Sequence, residues 1–527
     1  MAGSVTAARR KRTQELQQLQ QQNTEVVTGN QRQKSERQKN RHGTSVNTLK
    51  KEEEKEIAKK LTSPCNVEKV IITSNKDKND NVDLTGGLVL LQYYESLLSN
   101  TIGATYTYSD TGNTANNNEE GSNCKNTGTA LDKLPVVGGE TVELSFTDNR
   151  DNNLSVKLEV NGIIPFDDKT NKSAAQLQLL SPEVLVNEEE ENRVELCYEG
   201  KLSEHIKKIA EENLLTEKAL DIEVTSNNLN FIGHKRKPFY CLNLLSTKSV
   251  PQGEGKEGNS AGFIFWETAD GYHFKSLDTL LGQKQKKSVI YNESPSANDS
   301  PGAPGYDLKA LEYFRNSAIN VEHKMMMGGY SSKLISFDLK DADLSENIMS
   351  SAAAFGSEPP VGSQDYLSLA GDELPDLGEY SQIPTKVSYF VLDTGVQPGG
   401  PTDDQLDKSG LENFETKGIY NQSVMRYNQL FASTITLTIP GDFSLHAGDA
   451  LFVDISTLQA DTKIDEVNTK DGGIYIISDL THYISKKETY TKMNLVRDST
   501  GRKGNHAFRK GTNAHTVMQD GFLPNIK

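Results

Sequence analysis

A chain of 527 residues is too long for one hydrophobic core, and three or four domains are expected. Its 35% hydrophobic content and mean hydropathy of −0.60 describe a globular but polar protein, and no apolar run approaches the roughly 20 residues of a membrane-spanning helix, so no stable membrane insertion is expected. Charge is uneven: residues 1–60 carry 14 Lys/Arg against 7 Asp/Glu, a balance of +7, so the remainder of a −16 chain holds −23.

Residues 1–60 read as a basic, Gln-rich extension, largely disordered or folded on docking; the basic residues 1–12 are not followed by the apolar segment of a secretory signal. From Val67 the pattern becomes globular. Val70-Ile71-Ile72-Thr73 is a strand, and the apolar residues 88–91 lead to Tyr93-Tyr94. Val142, Leu144 and Phe146 alternate with polar residues, as do Val156, Leu158 and Val160, across an Asn/Asp-rich turn at 148–153, which reads as a hairpin. Residues 202–220 make the best helix, with Ile206, Ile209, Ala210 and Leu214 on one face. Apolar residues 263–266 and 272–277 flank Ala269-Asp270-Gly271, so Asp270 and Gly271 are assigned to a hairpin turn. Residues 295–304 are a Pro/Ser/Gly/Asn linker, and 308–319 read as a short helix. Strands are expected at 332–339 and 387–392.

Residues 421–499 read as one antiparallel run. Ile435, Leu437 and Ile439 alternate with Thr434, Thr436 and Thr438; Pro440, Gly441 and Asp442 then stop the strand, because proline cannot donate to a ladder and glycine accepts turn geometry. A second turn at Gly448 and Asp449 precedes Leu451, Val453 and Ile455, and Ile474, Ile476 and residues 490–496 supply two more strands. These five turn residues are the structural candidates of a second barrel.

Chemistry is hard to find. The nine histidines include no i,i+4 pair on a helix and no finger spacing, so no metal is expected. Cys65, Cys124, Cys197 and Cys241 are too sparse for a disulfide framework, and reduced thiols are expected. Carboxylates abound as in any acidic protein, and no nucleophile elbow, P-loop or dinucleotide fingerprint follows a strand, so neither catalytic residues nor cofactors are assigned. The run Met325-Met326-Met327 fits either an adaptable contact surface or core filler at a strand start. The basic arm could bind nucleic acid, but it lacks aromatic residues for base stacking, and docking on protein is favoured.

Four stretches resemble the central baseplate hub protein of T-even-type contractile-tailed phages: GFIFWETADGYHFKSLDTLLGQK (262–284), MMMGGYSSKLISFDL (325–339), RYNQLFASTITLTIPGDFSLHAGDALFVDI (426–455) and IYIISDLTHYISKKETYTKMNLVRDSTGRKG (474–504). The resemblance covers about 61–504 and not the basic arm. It implies a mainly β protein with some α: two tail-tube-type antiparallel β-barrels, a mixed α/β peripheral domain and a flexible N-terminal extension. The implied boundaries are 61–165 for the first barrel, 286–341 plus 416–500 for the second, 166–285 plus 342–415 for the peripheral domain, and 501–527 for a segment toward the spike. It further implies a homotrimer in the virion tail baseplate, assembled in the host cytoplasm. Its partners would be the cell-puncturing spike, tail-tube or tube-initiator proteins and the surrounding wedge proteins, with phage DNA passing through the channel. A −23 body would coat that channel with acid and repel DNA. The competing expectations are a tail-associated cell-wall hydrolase, supported only by abundant carboxylates, and a nucleic-acid-binding assembly factor acting through residues 1–60.

Overall fold

The computed structural model describes residues 64–76, 80–110, 134, 136–169, 172–252, 260–291, 306–315, 321–338, 342–350, 383–391, 401–403, 416–431, 433–455 and 472–498. All lie in the unit Lys60–Lys527; the extension expected at 1–60, the segment 501–527, Cys124 and the linker at 295–304 fall outside the described residues. The described chain is mainly β with a few helices.

The first β-rich unit holds β1 (Asn66–Thr73), β2 (Asn81–Asp83), β3 (Leu88–Ser96), β4 (Gly103–Asp110), β5 (Thr141–Thr147), β6 (Asn153–Lys169) and β7 (Lys172–Leu180), ordered β3-β4-β7-β6-β5-β1-β2. Alternation sends Val142, Leu144 and Phe146 inward to meet Leu154, Leu158, Tyr106 and Leu177 in one core. The circuit closes through the chain itself. Leu84 donates its amide to the Val70 carbonyl at 2.8 Å, a 3-10 turn (Thr85–Gly87) follows, and Leu88 opens the pairing with Tyr108 of β4. The expected boundary at 165 falls inside β6, and β7 pairs with β6 and β4, so this unit's strands run on to Leu180.

The mixed region comprises α1 (Glu183–Glu188), β8 (Cys197–Tyr198), α2 (Leu202–Glu212), β9 (Leu220–Ile222), β10 (Phe231–Ile232), α3 (Pro238–Lys248), β11 (Phe263–Thr268), β12 (Gly271–Ser276) and α4 (Leu277–Gly282). Ile206, Ile209, Leu242, Leu245, Phe263 and Phe274 share its core. The helix expected over 202–220 stops at Glu212, and three residues on Leu215 takes a left-handed φ of 53°.

The second β-rich unit uses β13 (Lys287–Tyr291), β14 (Leu308–Lys309) and β15 (Glu312–Arg315). After α5 (Val321–Met327), β16 (Ser331–Phe337), β17 (Leu344–Ser350), β18 (Lys386–Val391) and α6 (Thr416–Leu430), it is completed by β19 (Ser433–Pro440), β20 (Ala450–Ile455), β21 (Gly473–Ser485) and β22 (Thr489–Arg497). Pairing runs β14-β13-β20-β21-β22-β19-β15, and β15 continues from β14, so the ring is closed. Leu311 donates to the Thr438 carbonyl at 2.7 Å on the closing seam. Val289, Leu437, Leu451, Val453, Tyr475 and Leu495 fill it. The barrel is not wholly antiparallel, since β13 runs parallel to both β14 and β20.

Three expectations are corrected here. The helix expected over 308–319 is not formed at its described residues: 308–309 and 312–315 are strands, because long-range pairing with β13 and β19 overrides weak local preference. The run expected from 421 begins with α6, whose buried face is largely polar (Asn421, Gln422, Ser423, Arg426) and so lacks an apolar helical stripe. Ser331–Phe337, placed with the second barrel as part of 286–341, instead forms a separate sheet ordered β17-β16-β18 that packs against α6. Met326 and Met327, at the end of α5, are exposed.

Strand β21 unites the two units. Its first residues pair with β20 (Ile476 opposite Ala450), its later ones with β3 (from Asp479 opposite Ser96 to Ser485 opposite Leu90), while β22 follows its other edge. Both units therefore belong to one 14-stranded sheet.

Candidate functional site

The turn residues singled out in the sequence sit where the β-rich units and the mixed region meet. Between β19 and β20 the chain leaves the second barrel, and Phe443 enters the core of the first. Gly441 passes so close to Thr489 that a Cβ would lie 2.5 Å from its Cγ2. Asp442 is wholly buried; its carboxylate pairs with Arg150 Nη1 at 2.6 Å, with the Lys287 ammonium, and with the Ser444 hydroxyl at 2.6 Å. Arg150 belongs to the β5–β6 turn and Lys287 to β13, so one carboxylate clamps both barrels. Burial pushes its pKa up, but the Lys287 and Arg150 charges outweigh that and hold it below the ordinary carboxylate value. Asp148 adds a second clasp, accepting the Phe443 amide at 2.9 Å as well as the amides of Arg150 and Asn152.

The next turn fastens the mixed region. Glu95 of β3, fully buried, accepts the Ala269 amide (2.9 Å), the Ala447 amide (2.9 Å), the Tyr93 hydroxyl (2.8 Å) and lies 3.0 Å from His446 Nδ1. Burial raises the Glu95 pKa, yet the His446 hydrogen bond and charge, with the two amides, bring it below the ordinary value. Burial alone would lower His446, but Glu95, Asp270 and Asp449 raise it. Asp270, itself exposed, stands 3.5 Å from His446 Nε2 at the tip of the β11–β12 hairpin, whose ends pair as Thr268 opposite Gly271. Gly271 (φ 134°) lies where a Cβ would meet the Ala219 carbonyl oxygen at 2.4 Å. Gly448 (φ 96°) lies where a Cβ would stand 2.8 Å from Trp266 Cζ2, and Trp266 Nε1 donates to the Ala447 carbonyl at 3.0 Å. Asp449 accepts the His446 amide and pairs with Lys286, both at 2.8 Å. A cavity of about 210 Å³ lies beside this turn, bordered by Asp270, His273, Lys275 and His446.

A third carboxylate, Glu267 of β11, accepts the Ile102 amide at 3.0 Å and the Ser181 hydroxyl at 2.6 Å and pairs with Lys218 at 2.5 Å, joining hairpin to first barrel. Burial raises its pKa above the ordinary value despite Lys218. Beneath the junction His482 has zero exposure. It stacks on Tyr93, meets Phe443 edge-on and bonds Thr491 through Nδ1 at 2.8 Å, while its Nε2 has no hydrogen-bond partner. Burial drives its pKa down to about 4, so it stays neutral.

These groups position elements and their lone pairs are spent on doing so. Pro440, Gly441 and Asp442, Gly448 and Asp449, and Asp270 and Gly271 are thus drawn into two adjoining joints. The sequence reading missed Glu95, Asp148, Arg150, Lys287 and His446. Only the Asn/Asp-rich turn at 148–153 left a signal, because it marked a short loop with side chains able to bond backbone. Among the described residues no three His, Cys, Asp or Glu are grouped to hold a metal, and no helix is long and apolar enough to cross a membrane. Cys65 and Cys241 are buried thiols and Cys197 an exposed one.

No family model matches the chain, and no curated protein matches it. Solved structures do. A tail protein from Neisseria meningitidis MC58 is 10% identical with a TM-score of 0.46, covering 82% of this chain and 96% of its own. A 43 kDa tail protein of prophage MuSo2 from Shewanella oneidensis is 8% identical with a TM-score of 0.43, covering 82% and 98%. An Escherichia coli component of the type VI secretion system, described as structurally similar to bacteriophage T4 tail proteins, is 8% identical with a TM-score of 0.33, covering 83% and 75%. Identities and TM-scores are low throughout, and these stand as likenesses only.

Proposed function

We propose that this chain is the structural hub of a contractile-tail baseplate. Three copies would form a ring that adapts a sixfold tail tube to a threefold cell-puncturing spike and encloses part of the DNA channel. The observation that carries the reading is β21, which binds two barrels edge to edge into a single sheet. Two like barrels per chain present six near-equivalent lobes in a trimer on one side, while the trimer axis itself offers three, which resolves a symmetry mismatch by shape alone. The stretches that resemble hub proteins include β11–β12 of the mixed region, β16 of the separate sheet packed on α6, and β19–β22 of the second barrel. The closed ladder of the second barrel resists shear, which suits a part that transmits a tail's contraction. Tube, spike and wedge proteins are the expected partners, with the virion tail as the location.

Measuring the solution mass of the purified chain tests this. A threefold multiple of the chain mass, with six lobes in averaged electron micrographs, is expected. A monomer both alone and with a co-expressed spike rejects the hub, and sustained turnover of purified peptidoglycan by the chain supports the hydrolase instead.

A further inference from the structure

The small sheet β17-β16-β18 is turned inside out. Its registers sort the side chains into two faces. The face against α6 is mostly polar: Ser332, Ser336 and Asn347 are buried there, and the Ser332 hydroxyl lies 3.3 Å from the Asn421 side chain of α6. Only Leu334, Met349 and Phe390 are apolar on that side. On the opposite face the two edge strands leave Leu344, Ile348, Val387, Tyr389 and Val391 exposed, Leu344 at 61% and Tyr389 at 76%. Ile335 and Phe337 of the central strand lie half-buried between them. Seven of the nine outward positions are therefore apolar, and the two charged ones, Lys333 and Glu346, pair with each other at 2.6 Å. A sheet ordinarily buries its apolar face and wets its polar one, and parallel pairs such as β16 and β18 occur where both faces are covered.

We propose that this outward face seats one amphipathic helix, about three to four turns long, presented by a partner protein. The seat does not depend on the chain being a hub. Strands about 4.8 Å apart, rising about 3.3 Å per residue, give the nine positions a footprint on the order of 300 Å² with side chains counted. A second globular copy would need about 800 Å² on each side for a stable contact, whereas a single helix about 10 Å wide and about 20 Å long matches the patch. Helical cover is also what the sheet already has on its other side, in α6. The chain's own neighbouring connections do not offer such a helix. In 351–385 and 392–415 glycine and proline recur so often that no uninterrupted run exceeds eight residues (363–370 and 402–409), about two turns. Because Lys333 and Glu346 satisfy each other, the incoming stripe needs no charge and is apolar throughout.

The test uses the full-length chain and a probe peptide of about 14 residues with leucines at i, i+3, i+4 and i+7 and Glu and Lys elsewhere. Its control has the same composition with the leucines scattered round the helix. The patterned probe is expected to bind at least about tenfold tighter than the control by titration calorimetry, and to slow hydrogen exchange in β17 and β18. Tyr389→Lys/Val391→Lys should weaken it about tenfold or more. Ile348→Thr, on the other edge and kind to a strand, should weaken it about threefold and decides the matter if the double variant does not fold. Equal binding of the two peptides, or full affinity in Ile348→Thr, overturns the proposal. So does concentration-dependent self-association of wild type that Ile348→Thr weakens, which makes a second copy the occupant. A gain of about tenfold in probe affinity when 353–380 is replaced by a short Gly/Ser linker assigns the cover to this chain and likewise rejects a partner helix. Flotation of wild type with phosphatidylcholine vesicles, reduced in Ile348→Thr, makes the face a lipid contact and rejects it too.

Discussion

The two barrels are built on different terms. The second is filled by its own strands, from Val289 to Leu495, and its ladder closes through the consecutive β14 and β15. The first borrows: Phe443 and Ile484, carried by the second barrel's loop and by β21, complete its core, and Cys65 at its start donates its amide to Thr489 Oγ1 at 3.0 Å. A barrel that closes itself can stand alone. One completed from outside is obliged to stay attached, and the buried ion pairs at Asp442 sit at the point of attachment. Such pairs are costly to break once formed because each lost partner leaves a charge in a dry site, which favours a single fixed geometry over a hinge.

That asymmetry can be broken directly. Phe443→Ala should cost about 3–5 kcal/mol and fall on the first barrel, so hydrogen exchange should accelerate in β1, β5 and β6 well before β19 or β22. If both barrels loosen together, the first does not depend on the borrowed ring.

Acid gives the next largest effect. His482 has a folded pKa of about 4 against an ordinary 6.5, so the unfolded chain binds the extra proton between those values. Stability should therefore fall by roughly 3 kcal/mol as pH drops from about 6.5 to about 4, measured by denaturant midpoints. Asp442 and Glu95, with lowered pKa values, contribute stability that is present above the unfolded carboxylate pKa and lost as pH falls through their folded values. His446 has the opposite sign: its raised pKa gives stability that is complete below the unfolded value and fades as pH rises through the folded one. The clamp between barrels is thus an acid-sensitive joint, and the His446 contact with the hairpin weakens toward alkali. His482→Gln should flatten the acid limb and leave the alkaline one.

Gly448→Ala combines a left-handed φ with a Cβ forced into Trp266, and about 2 kcal/mol of destabilisation is expected, read as a faster-exchanging Trp266 indole N–H. Smallest of all, Lys207→Ala removes an exposed i,i+4 pair with Glu211 on α2 and should change stability by less than about 0.5 kcal/mol, providing the baseline for the other three.

Strands with one wet face were legible in the sequence, because burial on one side imposes a period of two: Ile435, Leu437 and Ile439 announce β19 as plainly as Val142, Leu144 and Phe146 announce β5. Local turn chemistry was legible too, at Asp270-Gly271 and Gly448. Helix α6 was not, since Arg426 is buried by bonding the Ser260 and Ala261 carbonyls and Asp278, and polar burial leaves no apolar stripe. The joints were invisible for a different reason. Arg150 and Asp442 are 292 positions apart, and nothing in either neighbourhood names the other. A buried carboxylate at a turn and a solvated one look the same in a string of letters.

The borrowed core also sets a timetable for synthesis. Domains are generally expected to fold in order as they leave the ribosome. Here the residue that opens the first barrel and the one that clasps it, Cys65 and Thr489, are 424 positions apart. The first barrel must wait, unfinished, until Thr489 has been translated. Contacts of such long sequence separation form slowly, so emergence of β21 and β22 becomes the event that permits folding of the first barrel. Products truncated before β21 cannot finish the first barrel.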